Sequence, residues 1–166
     1  MRPATVDDAA EIARVHVETW RVAYAHVFPA EFLQGLSVEE RAERWDGILR
    51  TCTGETFVAE LDGRVLGFAS VEPTRDERED APPGELAAIY VHPDAWGTGL
   101  GRALLERAEQ ALAEAAFEEA GLWVLENNPR ARRFYEAAGW RADGARDTFS
   151  RGGVDAADVR YRKHLR

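Results

Sequence analysis

The stretch that most constrains this fold runs from Leu86 to Leu105, where a strand, a glycine-dense turn and a helix start follow one another directly. Leu86 to Val91 is an almost unbroken apolar run with a β-branched and aromatic end, the pattern of a strand buried on both faces. Pro93 stops it. In Trp96-Gly97-Thr98-Gly99-Leu100-Gly101 the three glycines permit φ > 0 and a close approach of backbone to a ligand. Helical sequence runs from Arg102 onward. The unpaired N–H groups of its first turn, backed by the positive end of the macrodipole, make a seat for a phosphate or pyrophosphate.

Two familiar phosphate-binding patterns fail here. A nucleotide P-loop needs Lys-Ser or Lys-Thr after its last glycine, where this chain has Arg102-Ala103. A dinucleotide fingerprint needs a third glycine at the position of Arg102. The turn instead resembles the pyrophosphate loop of the GNAT family of N-acetyltransferases, [Q/R]-x-x-G-x-[G/A] after a strand that ends near a proline. Trp96 departs from the usual Gln or Arg and leaves the backbone amides intact. A second stretch, Asn128 to Trp140, resembles the family's N-x-x-A-x-x-[F/L]-Y-x-x-x-G-[F/W], with Asn128, Ala131, Phe134, Tyr135, Gly139 and Trp140 all present. Each anchor also has a plain structural reading as cap, small packing residue, core aromatic or helix terminator. Together, at the family's interval, they make the resemblance specific over 85–140.

Composition narrows the classes. At 166 residues and 45% hydrophobic, the chain has the size of one domain, 1–166, able to bury a core. No apolar run approaches the roughly 20 residues of a membrane span, and the N-terminus lacks a signal-peptide apolar region, so a cytoplasmic protein without a membrane partner is expected. The lone Cys52 excludes an internal disulfide and a cysteine zinc site, and reads as a structural thiol. A net charge of −9 argues against nucleic acid and suits a cationic acceptor, although it also serves solubility.

Along the chain, Thr5 to Asp8 fits a capping box, followed by a helix with Ala9, Ile12, Ala13, His16, Trp20 and Ala23 on one stripe. Phe28-Pro29 breaks it. Ser37 to Glu40 repeats the capping pattern before a helix from Val38 to about Arg50, whose apolar side carries Trp45, Ile48 and Leu49. His16 and His26 read as structural. Glu55–Leu61 and Arg64–Val71 are strands joined by the hairpin turn Asp62-Gly63. The charged, proline-containing segment 72–84 is a loop, read as a solvated face or a flap. A long amphipathic helix carries Leu104, Leu105, Ala108, Ala111, Leu112, Ala115 and Ala116, and a short buried strand covers Leu122–Leu125. Strand, helix, strand makes 86–91 and 122–125 parallel neighbours, and a slot opens above the glycine turn if they splay. Asn128-Pro129 starts the next helix and Gly139 ends it; strands are expected at 140–145 and 159–165 around Gly152-Gly153.

The resemblance implies an α/β (α+β) GNAT fold, a mixed central sheet with splayed parallel strands 4 and 5 flanked by helices. It implies acetyl-CoA as co-substrate, no metal, and an amine acceptor attacked directly in a ternary complex. The alternative is a non-catalytic acyl-CoA-binding or regulatory module. The pantetheine arm is assigned to the edge of Ile89, Tyr90 and Val91, and the pyrophosphate to Gly97, Thr98, Gly99, Leu100, Gly101 and Arg102, with Trp96 beside them. Asn128 adds a second coenzyme contact. Tyr135 is the expected general acid, and Glu85 the expected base, with Glu126 or ordered water as alternatives. Trp20 and Tyr24, four apart on one helix, are either core or the wall of the acceptor pocket. A homodimer is possible on the family's account.

Overall fold

The computed structural model describes residues 1–165. Seven strands form one sheet in the order β1-β2-β3-β4-β5-β7-β6. They are β1 (Arg2–Pro3), β2 (Glu55–Leu61), β3 (Arg64–Pro73), β4 (Gly84–Val91), β5 (Glu119–Leu125), β6 (Arg141–Arg151) and β7 (Val154–His164). The helices are α1 (Ala9–Ala23), α2 (Ala30–Gln34), α3 (Val38–Thr51), α4 (Leu100–Glu114) and α5 (Pro129–Ala137). Every neighbouring pair is antiparallel except β4 and β5. The expected mixed α/β sheet with helices on its flanks is therefore what the chain forms.

The strand period of two divides the core into two layers. On β2 and β3, Phe57, Ala59, Ala69 and Val71 face α4 and pack on Leu104, Leu105, Ala108 and Leu112. The intervening Val58, together with Val65 and Phe68, faces α1 and α3, where it meets Ile12, Val15 and Trp45. Burial of each such large apolar side chain contributes about 1.5–3 kcal/mol. Asp62 and Gly63, both at positive φ (51° and 75°), close the hairpin as their sequence predicts.

Several boundaries differ from the sequence expectation. Helix α4 begins at Leu100 and stops at Glu114; Ala115 caps it and Ala116 turns left-handed at φ 66°, so neither joins its apolar face. Ile48 is exposed, while Trp45 is buried against the sheet with Val38, Ala42 and Leu49 of α3 packed beside it. Strands β6 and β7 are eleven residues each, extended by pairing with one another well past their apolar segments. The loop 74–83 is more than a solvated face. Its Asp76 and Asp80, with Asp143 of β6, surround Arg160 of β7 at 2.8, 2.8 and 2.7 Å, and that arginine is 1% exposed. The loop is thereby strapped over β5, with Arg78 lying over the Trp123 ring at 5.0 Å.

Two irregularities position the functional site. The pairing of β3 with β4 skips Ala87, which leaves one extra residue in β4 and bends the strand there. Beyond it, β4 parts from β5: they share only the pairs Gly84↔Ala120 and Glu85↔Gly121, while β5 turns its other edge to β7.

Candidate active site

The gap between the diverging strands is a cleft of about 810 Å³, which runs from the glycine turn to the α1 side of the sheet. At its first end the chain leaves β4 through a short turn at Pro93–Ala95 and enters α4. Gly97 and Gly99 have φ of 77° and 88°, values that only glycine adopts without strain, and a Cβ at either would project into open space. Gly101 is different from the expectation: it lies inside α4 with φ outside the left-handed region, and a Cβ there would make ordinary contact with Val91 and Phe134. The N-cap, Gly99, has no side chain to offer and the first turn contains no acid; Leu100 N–H turns to Thr98 Oγ1 at 3.4 Å, and the amides of Gly101 and Arg102 are left for a ligand.

Trp96, Gly97, Gly99, Gly101 and Arg102 all line the cleft; Thr98 and Leu100 do not. The Thr98 hydroxyl donates to Ala95 O at 2.7 Å, which braces the turn, and Leu100 packs on the core. The Trp96 indole N–H donates to Val91 O at 2.8 Å. Its ring carries the Arg130 guanidinium at 3.5 Å, and Arg130 also lines the cleft. A cation therefore stands at the phosphate end of the cleft although position 96 is not basic. Sequence reasoning passed over Arg130 because it occupies a variable position of the second motif.

Along the cleft wall, Ile89, Tyr90 and Val91 line the slot. His92 N–H bonds Leu66 O across β3, so by alternation the polar backbone groups of Ile89 and Val91 point the other way, into the slot. The Val91 carbonyl is already used by Trp96 and by Thr19 Oγ1 at 3.2 Å. Ile89 keeps the open edge. Asn128 lines the cleft too, with its Oδ1 committed to capping α5 through Ala131 N–H at 3.1 Å, which leaves its amide nitrogen for a ligand.

Tyr135 is buried between Phe134 and Trp140 and also lines the cleft. Burial pushes its phenol above the ordinary range, with a further push from Tyr90, so it is protonated at neutral pH. Glu85 sits where β4 and β5 still pair, and its carboxylate accepts from Thr74 Oγ1 and Arg75 N–H at 3.3 and 3.1 Å. It is not part of the cleft wall. Glu126 is held by Arg146 in a two-bond pair at 3.0 and 2.8 Å and faces a separate surface depression.

The far end of the cleft is aromatic. Trp20 and Tyr24 both line it, in edge-to-face contact at 4.7 Å, with Phe28 and Phe149 beside them. The Trp20 indole N–H turns towards the Tyr90 hydroxyl without closing a hydrogen bond of good geometry. His16 stacks on Tyr90 at 4.5 Å and accepts from Trp45 Nε1 at 3.2 Å; burial lowers its pKa to about 3, so it is a neutral packing residue. The carboxylate in this wall is Asp158 of β7, a residue that the sequence pattern left outside any strand.

Among the described residues no group of His, Cys, Asp and Glu is arranged to hold a metal. No described helix is long and apolar enough to cross a membrane. Burial raises the Cys52 thiol, which donates to Glu72, as befits a structural cysteine.

Residues 12–140 match the sequence profile described as "Acetyltransferase (GNAT) family". The chain is 36% identical over 137 residues to an uncharacterized N-acetyltransferase, YuaI, of Bacillus subtilis, covering 82% of this chain and 77% of that one. It is 30% identical over 138 residues to an uncharacterized N-acetyltransferase of Archaeoglobus fulgidus, covering 81% and 88%. In three dimensions it is similar to the PaiA N-acetyltransferase of Thermoplasma acidophilum in complex with coenzyme A, with a TM-score of 0.76 at 20% identity over 98% of this chain and 96% of that one. It is also similar to YncA of Salmonella typhimurium with acetyl-CoA, with a TM-score of 0.73 at 19% identity over 99% and 92%.

Proposed function

Because the chain belongs to the acetyltransferase (GNAT) family and is an acyltransferase by that kinship, we propose that it moves the acetyl group of acetyl-CoA to a primary amine by direct attack in a ternary complex. The observation that carries this reading is the uncapped start of α4, set behind Gly97 and Gly99 at the mouth of the slot between β4 and β5. The pyrophosphate takes the amides of Gly99, Gly101 and Arg102, and that of Leu100 in exchange for its bond to Thr98 Oγ1, supported by Arg130 on Trp96. The pantetheine arm lies along β4 and pairs with Ile89 as an added strand would. Its thioester then reaches the middle of the cleft, beside Tyr135.

Tyr135 serves the leaving group. An ordinary phenol has a pKa of about 10 and a thiol about 8.5, and burial moves Tyr135 further up, so early proton transfer is uphill. Its contribution is a hydrogen bond that strengthens as negative charge gathers on sulfur, with the proton following when the C–S bond is broken. The proton that leaves the ammonium must go to a group of the cleft wall or to water. Glu85 reaches the acceptor only through an intervening water, because its carboxylate is engaged with the loop at Thr74 and Arg75.

Release of free thiol from acetyl-CoA in the presence of an amine panel tests the reading. Tyr135→Phe should keep the fold and coenzyme binding while turnover falls by roughly 10²–10⁴-fold. Turnover within about threefold of the parent would remove Tyr135 from the mechanism, since a positioned acid is worth far more than that.

A further inference from the structure

The acceptor end of the cleft contains one charge of each sign, set apart over an aromatic floor. Asp158 is half-buried and lines the cleft, and its carboxylate forms no hydrogen bond or ion pair with any described residue. The strand register places Asp147 directly opposite it on the same face of the β6–β7 ribbon. Asp147 is already paired with Arg78 at 3.6 Å and lies outside the cleft wall, so Asp158 is the carboxylate left to meet a cation there. On the same face, nearer the Gly152-Gly153 turn, stands Arg151, which pairs with Val154, four residues or about 13 Å along the strand from Asp158. Much of that gap is crossed by its own side chain, because the guanidinium leans over Phe149 at 5.2 Å and Trp20 at 5.3 Å. Arg151 forms no hydrogen-bonded ion pair with an acid among the described residues and is within electrostatic range of Asp158 and of the half-buried Arg41 of α3. The rings of Trp20, Tyr24 and Phe28 line the same cleft, where they can take an apolar body but offer no further charge.

We propose that the acceptor is a small amphoteric amine, bearing an ammonium group and a carboxylate or other oxyanion on a short apolar body, with Asp158 holding the ammonium and taking its proton and Arg151 holding the anion. This deepens, and rests on, the acetyl-transfer reading. Asp158, Tyr24 and Tyr135 line the same cleft, so an amine held by the first and a thioester beside the last share one cavity. Arg151 also selects against alternatives. A polyamine or a lysine-rich segment would bring a second cation to a guanidinium whose facing carboxylate, Asp158, already holds the first ammonium.

The proton passes from the ammonium nitrogen to the Asp158 carboxylate. The freed lone pair attacks the thioester carbon, the C–N bond forms and the C–S bond breaks. The thiolate takes the proton of Tyr135, and the second proton lost by nitrogen restores Tyr135. Asp158 then releases its proton to solvent, so one ammonium and one thioester become one amide, one thiol and one free proton. The groups that face Asp158 are consistent with a base. Burial raises its carboxyl above the usual range, Arg151 pulls it down and Asp147 pushes it up, while the Tyr24 and Tyr90 phenols, themselves raised by burial, stay neutral.

The test compares an apolar amino acid, its carboxamide and the corresponding decarboxylated amine by thiol release, in the parent protein and in Asp158→Asn and Arg151→Gln. The parent should favour the amino acid over its carboxamide by at least about tenfold in kcat/KM, and Arg151→Gln should bring that ratio close to one through the KM of the amino acid. Asp158→Asn should lower kcat on all three by about 10²-fold and remove the acidic limb of the pH profile. Its melting temperature at neutral pH should rise. A carboxyl raised on folding adds stability at low pH that is lost as pH climbs through its folded pKa, so deleting the charge relieves that loss. A structural aspartate would do the reverse. Equal use of all three acceptors overturns the amphoteric assignment and leaves acetyl transfer standing. Turnover of Asp158→Asn within about threefold of the parent overturns its role as base. Failure of the parent to bind acetyl-CoA by calorimetry would sink the transferase reading itself.

Discussion

Gly99 and Gly101 stand two residues apart in the same turn, yet different physics acts on each. At Gly99, φ of 88° puts the backbone where a β-branched residue is strained, and the space in front is the space a phosphate needs. Gly101 has room for a methyl group in helical backbone, where alanine is preferred by roughly 0.5–1 kcal/mol. Gly99→Val should weaken acetyl-CoA binding by more than about tenfold, the equivalent of 1.4 kcal/mol, from strain of about 1–3 kcal/mol and lost approach. Gly101→Ala should raise the melting temperature and disturb binding far less. Calorimetry of the two variants settles it, and equal losses would show that the glycines act only as spacers. At this scale the sequence was legible where backbone chemistry is local, as at Asn128, whose capping role is written in the proline that follows it. Asp158 was not. Asp and Ala depress strand propensity over 155–158, so β7 is read from Val159, and only pairing to Leu125 and Asp147 extends it to put Asp158 in the cleft.

At the level of elements, the Asp62-Gly63 hairpin and the helices after Gly99 and Asn128 follow from turn residues, caps and periodicity. The bulge at Ala87 does not, because one extra alanine in an apolar run has no local mark and is fixed by the partner strand. Nor does the strap over β5, which depends on an arginine meeting acids about 80 positions away. Arg160→Met would take from Asp76 and Asp143 the more deeply buried of their two arginines, leaving Arg78 on the first and Arg162 on the second, a loss of about 1.5–3 kcal/mol. The variant should melt lower and be cut by trypsin at Arg75 or Arg78, both in the released loop; unchanged melting would mean that the loop is held by its backbone. The parent's own pH dependence has a definite sign. Burial raises the Asp76 and Asp143 carboxyls, but hydrogen bonds from backbone N–H groups and arginines outweigh it and hold both below the usual range. Their stabilisation is present above the unfolded value of about 3.9 and is lost as pH falls through the lower folded values.

Across the whole molecule, a net charge of −9 gives no general attraction for a polyanionic coenzyme. Its charge has to be met locally, by the amides of α4, Arg102 and Arg130. The same scale shows what two shared ladder pairs between β4 and β5 entail. The sheet is two blades, β1 to β4 and β5 with β7 and β6, joined at a narrow bridge of Gly84–Glu85 and Ala120–Gly121. The Ile89 amide on the open edge should trade its hydrogen with deuterated water quickly in the free protein and slowly once a pantetheine arm lies against it. Saturation at 100 times the dissociation constant should add about 2.7 kcal/mol to global stability. Adenosine diphosphate, which has the pyrophosphate but no arm, should leave Ile89 unprotected. If Ile89 exchanges at one rate in all three states, the arm runs elsewhere. On this reading the sheet leaves the ribosome one strand short, and a metabolite supplies the missing one.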